Sequence, residues 1–259
     1  MVQSAPIAGP AETADAAGVI EANRRRLDGL GALRRWTSPV TAGLDSALMR
    51  RLREHGTGAL LDVGCGAMPY RDRLEGVFTE YDGLDIERRS PDVKYLASAT
   101  DMACVAAESY DTVLCSEVLE HISRPEAALA ELARVLRSGG TLVLSVPFLA
   151  RLHEEPHDYY RYTRHGLQEL LGRSGFTSID IAAYGSVGSF VGHQVSTVAL
   201  GTTWHVPVVR WVALALNALV VVLPARGLDR LLGRLTERFP VGYTVVARRA
   251  IEAAGDDAG

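Results

Sequence analysis

Ala59-Leu-Leu-Asp62-Val-Gly64-Cys-Gly66-Ala-Met68-Pro69-Tyr70 decides how this chain is read. An apolar run reaches Asp62, and the chain then bends through two glycines. The pattern predicts a buried strand ending in a tight loop, where Gly64 and Gly66 can adopt positive φ and let a ligand approach bare backbone. A second strand ends at Gly83-Leu84-Asp85-Ile86, about twenty residues on, the spacing at which an acid after a Gly-rich turn can accept from both ribose hydroxyls. The dinucleotide fingerprint fits poorly. Pro69 stands where its third glycine belongs, and no phosphate-binding Lys-Ser/Thr follows. The loop therefore suits a nucleoside ligand without a pyrophosphate.

Further blocks extend the pattern. Tyr110-Asp-Thr-Val-Leu-Cys115 reads as a short apolar strand and runs on into Ser116-Glu117-Val-Leu-Glu120-His121. Arg124-Pro125 opens a helix with Leu129, Leu132 and Leu136 at helical spacing. Ser138-Gly139-Gly140 is expected to close that helix, before another buried strand, Thr141 to Val146, that stops at Pro147. Strands are predicted near 58–63, 80–86, 92–96, 110–115, 140–146, 177–184 and 241–248. Their alternation with helices implies a parallel, doubly wound α/β sheet.

Taken together, these blocks resemble the class I S-adenosylmethionine-dependent methyltransferases, and most closely the methyltransferase type 11/12 group. The resemblance covers roughly residues 45–184 and the last strand. It implies a Rossmann-like seven-stranded sheet, mostly parallel with the last strand antiparallel, and S-adenosyl-L-methionine as cofactor. It also implies site roles. Asp62 would orient the cofactor's amino group, and Gly64 and Gly66 would pass beneath its methionine and ribose. Asp85 would hold the ribose hydroxyls, and Ile86 would pack on the adenine. Cys115, Ser116 and Glu117 would line the methionine end. His121 would support the fold near the cofactor. Met68 replaces the usual third glycine. Ala97-Ser98-Ala99 stands where an acid often meets the adenine amine, so Ser98 or a backbone amide takes that contact.

Composition bounds the function. The chain has 259 residues, 47% hydrophobic and 22% charged, with a net charge of −4. That suits one α/β domain with additions and gives no global attraction to nucleic acid. Cys65, Cys104 and Cys115 are scattered, which argues against a disulfide framework and fits a reducing cytoplasm. The organisation expected is a disordered leader over 1–18, helices over 19–56, a cofactor-binding core over 57–184, a hydrophobic helical insert over 185–239, the last strand over 240–250 and a disordered tail over 251–259. The N-terminal helices, with Ser38-Pro39 as the cap of the second, read as packing beside the sheet; an arginine-bearing lid is the alternative.

Candidate chemistry concentrates in residues 151–163, which hold two histidines, three acids, three tyrosines and two arginines. In this fold the segment would overhang the cofactor's methyl group. Methyl transfer to a hydroxyl or amine needs a base, and histidine is suited to it near neutral pH. His153 and His157, with Tyr160, are the catalytic candidates. Arg151, Tyr159 and Arg161 are the substrate-positioning candidates. The histidines would share a helix face at a spacing of four, although Pro156 opposes a helix there. His153, Glu154, His157 and Asp158 could ligate a divalent ion, but their spacing is not specific for one, and no metal is expected.

The insert turns strongly apolar from Val206 to Leu223. Pro207 and Pro224 bracket about 16 residues, or roughly 24 Å of helix, short of a bilayer core of about 30 Å. A buried or interfacial helix is expected, followed by an amphipathic one bearing Arg226, Arg230, Arg234 and Arg238. This cap would cover the core, form a homodimer, or touch a membrane surface to reach a lipid-linked acceptor. The reading is a cytoplasmic methyltransferase, O-methylating a small-molecule, sugar or glycan-like acceptor. N- or C-methylation is the variant reading, and a non-catalytic cofactor-binding protein the rival from another class.

Overall fold

A computed structural model of the chain describes residues 31–203, 206–233 and 238–251. The leader 1–18, the first part of the N-terminal helical pattern (19–30), Arg234 and the tail from 252 lie outside these residues. Seven strands form one sheet: β1 (Ala59–Val63), β2 (Glu80–Asp85), β3 (Val93–Leu96), β4 (Tyr110–Ser116), β5 (Leu136–Pro147), β6 (Phe176–Tyr184) and β7 (Gly242–Arg249). Their order is β3-β2-β1-β4-β5-β7-β6. All pairings up to β5 are parallel, and β7 runs antiparallel to both neighbours. This is the mostly parallel Rossmann-like sheet implied by the resemblance, and its sequence order reverses between β1 and β4.

Both faces of the sheet are covered, as a parallel sheet requires. Strand parity assigns the residues. Leu61, Val63, Val113, Cys115, Leu142 and Leu144 belong to one core. Leu60, Leu114 and Val143 point the other way, into a core shared with Leu44, Leu48 and Leu52. Those three leucines lie on α1 (Pro39–His55), whose N-cap Ser38 accepts from the Val40 N–H. So α1 packs against the sheet, and its buried Arg51 pairs with Asp180 of β6. The described end of the preceding segment, Gly31–Trp36, is a 3₁₀ helix.

The helix opened by Pro125 ends sooner than the glycines suggest. α2 (Pro125–Val135) stops where Leu136 turns to extended backbone, and Ser138-Gly139-Gly140 lies inside the β5 span. Gly139 takes φ +72°, and the pairing slips between Tyr110↔Leu136 and Thr112↔Thr141. The glycines form a bulge in the strand instead of a helix cap. α3 (Arg164–Arg173) follows β5 and is capped by Thr163, which accepts from the Gly166 N–H.

The insert is helical: α4 (Val187–Thr203), α5 (Pro207–Asn217), a π turn (Ala218–Val222) and α6 (Leu223–Leu231). The expectation that Pro224 ends the apolar helix is corrected. Helix continues over Val208–Leu231, 24 residues that include an 18-residue stretch of mean hydropathy 2.1, long and apolar enough by length and composition to cross a membrane. The widened turn ahead of Pro224 explains it, because the proline's missing N–H falls where the regular bonding register is already interrupted. Polar residues tie the cap helices to one another and to the segment ahead of α1. Asp229 of α6 accepts from the Ser186 and Ser189 N–H groups at the start of α4. Asn217 is buried and donates to the Trp36 and Thr37 carbonyls.

Candidate active site

The site lies at the carboxyl ends of the strands, where ligands bind in open α/β sheets. Gly64 and Gly66 follow β1 with φ of +71° and +53°. The N–H groups of Gly64 and Cys65 both donate to the Leu84 carbonyl, drawing the loop against β2. A Cβ on Gly64 would stand 2.3 Å from Val118, so this position has no room for a side chain, whereas one on Gly66 would meet open space. Asp85 sits beneath the loop: one carboxylate oxygen accepts from the Gly66 N–H at 2.8 Å and the other from Glu87 N–H at 3.0 Å.

A cavity of about 310 Å³ opens above this loop, lined in part by Asp62, Gly64, Cys65, Gly66, Ser116, Glu117, Arg151, His153, Glu154, Tyr184 and His193. Asp62 is buried and accepts from the Tyr81 hydroxyl at 2.6 Å. Burial raises its pKa to about 7, against the Tyr81 hydrogen bond and with help from the Asp85 charge. Glu117 takes positive φ and accepts from the Ser145 hydroxyl at 3.0 Å and from Tyr184 at 3.4 Å.

The 151–163 segment is not helical, so His153 and His157 share no helix face. It braces itself and leans on the turn after β4. Arg161 makes a two-point ion pair with Asp158 at 2.5 and 2.7 Å and donates to the Arg151 carbonyl. Burial opposes the Asp158 charge, but Arg161 and the His153 N–H outweigh it and hold the pKa at about 2. The Tyr159 and Tyr160 N–H groups donate to the Glu120 carbonyl, and the Tyr162 hydroxyl to that of Leu119. His121 Nδ1 donates to the His157 carbonyl at 2.7 Å. His153 stands edge-on to His121 with ring centroids 4.8 Å apart. Its pKa is lowered, burial outweighing a hydrogen bond to the Arg151 carbonyl, so the imidazole is neutral at pH 7.

The cavity thus brings together Asp62, Gly64, Gly66, Ser116, Glu117, Arg151 and His153 from the sequence-predicted set. The others lie elsewhere. Cys115 has no exposed surface and faces the opposite core. Ser98 is exposed and bonds Thr100, while Ile86 is 72% exposed past the end of β2. His157 and Tyr159 meet each other on the surface, and Tyr160 donates to the Ser123 carbonyl. Arg161 braces the loop through Asp158. Sequence reading missed Tyr81, Tyr184 and His193. His193, from α4, contacts the Ser38 hydroxyl at 2.8 Å, and burial lowers its pKa to about 4. It also missed Glu120 as a buried neighbour of His121 and His153. Its pKa is pushed well above the carboxylate range, by burial first and by Glu117 next.

Comparison with known proteins agrees with this geometry. Residues 61–144 match a family model described as a methyltransferase domain. A ubiquinone biosynthesis O-methyltransferase from Burkholderia vietnamiensis is 27% identical over 133 residues, covering 40% of this chain and 57% of that protein. A demethylmenaquinone methyltransferase from Renibacterium salmoninarum is 30% identical over 120 residues, 45% of this chain and 49% of that one. The chain therefore spans about half the length of the curated relatives it matches. The crystal structure of an S-adenosylmethionine-dependent methyltransferase from Archaeoglobus fulgidus superposes with a TM-score of 0.52 at 15% identity, over 78% of this chain and 93% of that one, a likeness of fold. With the strand order, the glycine loop and the family match, residues 61–144 belong to a methyltransferase domain of the class I S-adenosylmethionine-dependent type.

Proposed function

We propose that this protein transfers a methyl group from S-adenosyl-L-methionine to a hydroxyl oxygen of a small-molecule acceptor. The observation that carries this reading is the meeting, in one cavity, of the glycine loop, the acids Asp62 and Glu117, and the neutral imidazole of His153. The cofactor's fit can be judged from the donor set. An acidic wall suits a ligand with a sulfonium and an ammonium, and Gly66 leaves its backbone open to the space beside it. Asp62 would hold the amino group, Gly64 and Gly66 the ribose side, and Asp85 the ribose hydroxyls beneath the loop. The cofactor supplies the electrophilic methyl group.

The chain supplies the rest. Arg151 and Tyr184 wall the acceptor side, and His193 presents a polar group that stays uncharged at neutral pH. His153 accepts the acceptor's proton, with the ionised carboxylate of Asp158 3.5 Å from its Nδ1 to stabilise the imidazolium. The names of the two relatives, one in ubiquinone biosynthesis and one acting on demethylmenaquinone, support a quinone-like or phenolic acceptor over a sugar. The cap supports an acceptor carried in lipid: Val208, Trp211, Val212, Leu216, Leu219 and Val220 are each 47% to 77% exposed. A patch of that kind on a helix flanked by Arg226 and Arg230 suits an anionic membrane surface.

Calorimetry with S-adenosylmethionine and with S-adenosylhomocysteine tests the cofactor reading, and transfer of a labelled methyl group to phenolic and catechol acceptors tests the chemistry. Saturable binding and labelled ether product are expected. A protein that binds neither nucleoside would overturn the proposal.

A further inference from the structure

Glu120 has no exposed surface, and neither carboxylate oxygen has a hydrogen-bond partner. The Nε2 of His121 is likewise buried and without one. Unpartnered polar atoms of this kind are costly, and native structures rarely leave several together without a bound group to satisfy them.

The surrounding contacts say what kind of group. His121 Nδ1 stands 2.7 Å from the His157 carbonyl oxygen, and His153 Nδ1 3.1 Å from that of Arg151. A carbonyl only accepts, so each Nδ1 carries a proton, and in the neutral form of either ring Nε2 then holds the lone pair. Arg161 Nη2 approaches His153 Nδ1 at a longer 3.4 Å and favours the opposite tautomer, but the closer carbonyl decides. Backbone carbonyls fixing Nδ1–H in this way are the usual outer support of metal-binding histidines.

The two lone pairs converge on the carboxylate. Glu120 Oε1 lies 3.6 Å from His121 Nε2 and 3.9 Å from His153 Nε2. The donor atoms of the three residues all fall within 4.8 Å of one another. Donors bound at about 2.1 Å around one ion stand about 3 to 3.5 Å apart, so small side-chain movements close the set. Glu154 Oε1 is 3.7 Å from His121 Nε2, on the cavity side.

We infer that Glu120, His121 and His153 bind one divalent first-row transition cation at the wall of the cavity, with Glu154 as a further oxygen ligand. Two imidazoles and a carboxylate select zinc, manganese, iron or cobalt over magnesium or calcium. The sequence reading expects no metal, and the spacing-based set of His153, Glu154, His157 and Asp158 is not the one brought together, since His157 faces Tyr159 and Asp158 is held by Arg161. The site's role rests on the methyltransferase reading: with the ion in place His153 would be a ligand instead of a base, and the ion would hold the acceptor oxygen and lower its pKa, so that the hydroxyl proton leaves to solvent before methyl transfer.

The test uses the full chain, stripped with chelator and desalted, titrated with zinc and cobalt chloride. One equivalent is expected to bind, with visible cobalt d–d bands from a nitrogen-containing ligand set. Glu120→Gln, which keeps the side chain's shape, and a His121→Ala/His153→Ala double variant should each weaken uptake by roughly tenfold or more. His165→Ala, on exposed α3, should leave it unchanged. Circular dichroism confirms that each variant is folded, and Glu120→Gln serves if the double variant is not. No stoichiometric uptake, or uptake indifferent to Glu120→Gln, overturns the site, and a buried proton then satisfies the cluster. S-adenosylhomocysteine binding on the same stripped sample separates the two ideas: retained binding without cation uptake rejects the site alone.

Discussion

Asp62→Asn should make the protein more stable and worse at its task. The carboxyl is 2% exposed, and burial lifts its pKa from 3.8 to about 7. A group whose folded pKa is raised stabilises the fold relative to its ionised form only while protonated. The unfolded chain loses its proton near pH 4 and the folded chain near pH 7, so stability falls across that window and stays low above it. At 1.36 kcal/mol per pKa unit the loss is roughly 4 kcal/mol at pH 8. Asparagine fills the same space, accepts from Tyr81 and does not ionise. The variant should match the parent near pH 4 and exceed it by roughly 2–4 kcal/mol at pH 8, a rise of several degrees or more in Tm for a chain of this size. Binding should move the other way. Only the carboxylate attracts an ammonium group, so parent affinity for S-adenosylhomocysteine should rise roughly tenfold from pH 6 to pH 8. The variant should lose both that dependence and roughly 10- to 100-fold in affinity. Urea titrations and calorimetry across pH measure both. A stability difference that does not change with pH, or a variant less stable at pH 8, would refute the reasoning.

Other consequences are more local. His153→Ala should lower kcat by roughly 100-fold, because His153 is the base without a cation and a ligand with one, whereas His157→Ala should have far less effect; steady-state assays of the two decide it. Arg161→Ala strands Asp158, whose side chain is 1% exposed, and should cost roughly 3 kcal/mol by urea denaturation at pH 7. That penalty should shrink as pH falls toward the Asp158 pKa of about 2 and the carboxylate is neutralised. Replacing Leu216, Leu219 and Val220 by serine should reduce binding to anionic vesicles by roughly tenfold or more in flotation assays, since these residues are 56% to 64% exposed. If light scattering instead shows a dimer that the triple variant dissolves, the face is an interface between copies.

The sheet was legible because its signals are local. Near-continuous apolar runs such as Leu60 to Val63 and Leu142 to Val146 are buried on both faces and stop at glycine, acid or proline, so strand positions needed no tertiary information. The errors arose where local signals conflict. Ser138-Gly139-Gly140 carries the composition of a helix cap, yet Leu136 already pairs with Tyr110, and sheet bonding claimed the glycines. Pro224 ordinarily ends a helix, but the π turn before it had already given up the regular register, which no propensity scale encodes.

The site was legible in part for a different reason. Asp62, Gly64 and Gly66 sit in one contiguous motif, so reading the motif placed them together. Parity could also have removed Cys115, since Val113 and Cys115 share a face while Leu114 and Ser116 take the other. Glu120 was harder to find. It lies 33 residues before His153, in a run read as support for the fold, and sequence distance hides their meeting. The topology explains that meeting. β4 and β5 are parallel neighbours, with Ser116 paired to Ser145, so the turn leaving one strand and the loop leaving the other emerge side by side. Tyr159, Tyr160 and Tyr162 then tie loop to turn through the Glu120 and Leu119 carbonyls. Tyr159, a substrate-positioning candidate by sequence, and Tyr160, a catalytic one, are therefore, with Tyr162, the fasteners that bring two histidines onto a buried carboxylate. Weakening them should disperse the cluster without touching the glycine loop. Tyr162→Phe removes one such bond, to the Leu119 carbonyl, and should lower cation uptake while leaving S-adenosylhomocysteine affinity intact; a parallel loss of both would show that loop and cofactor cradle form one unit.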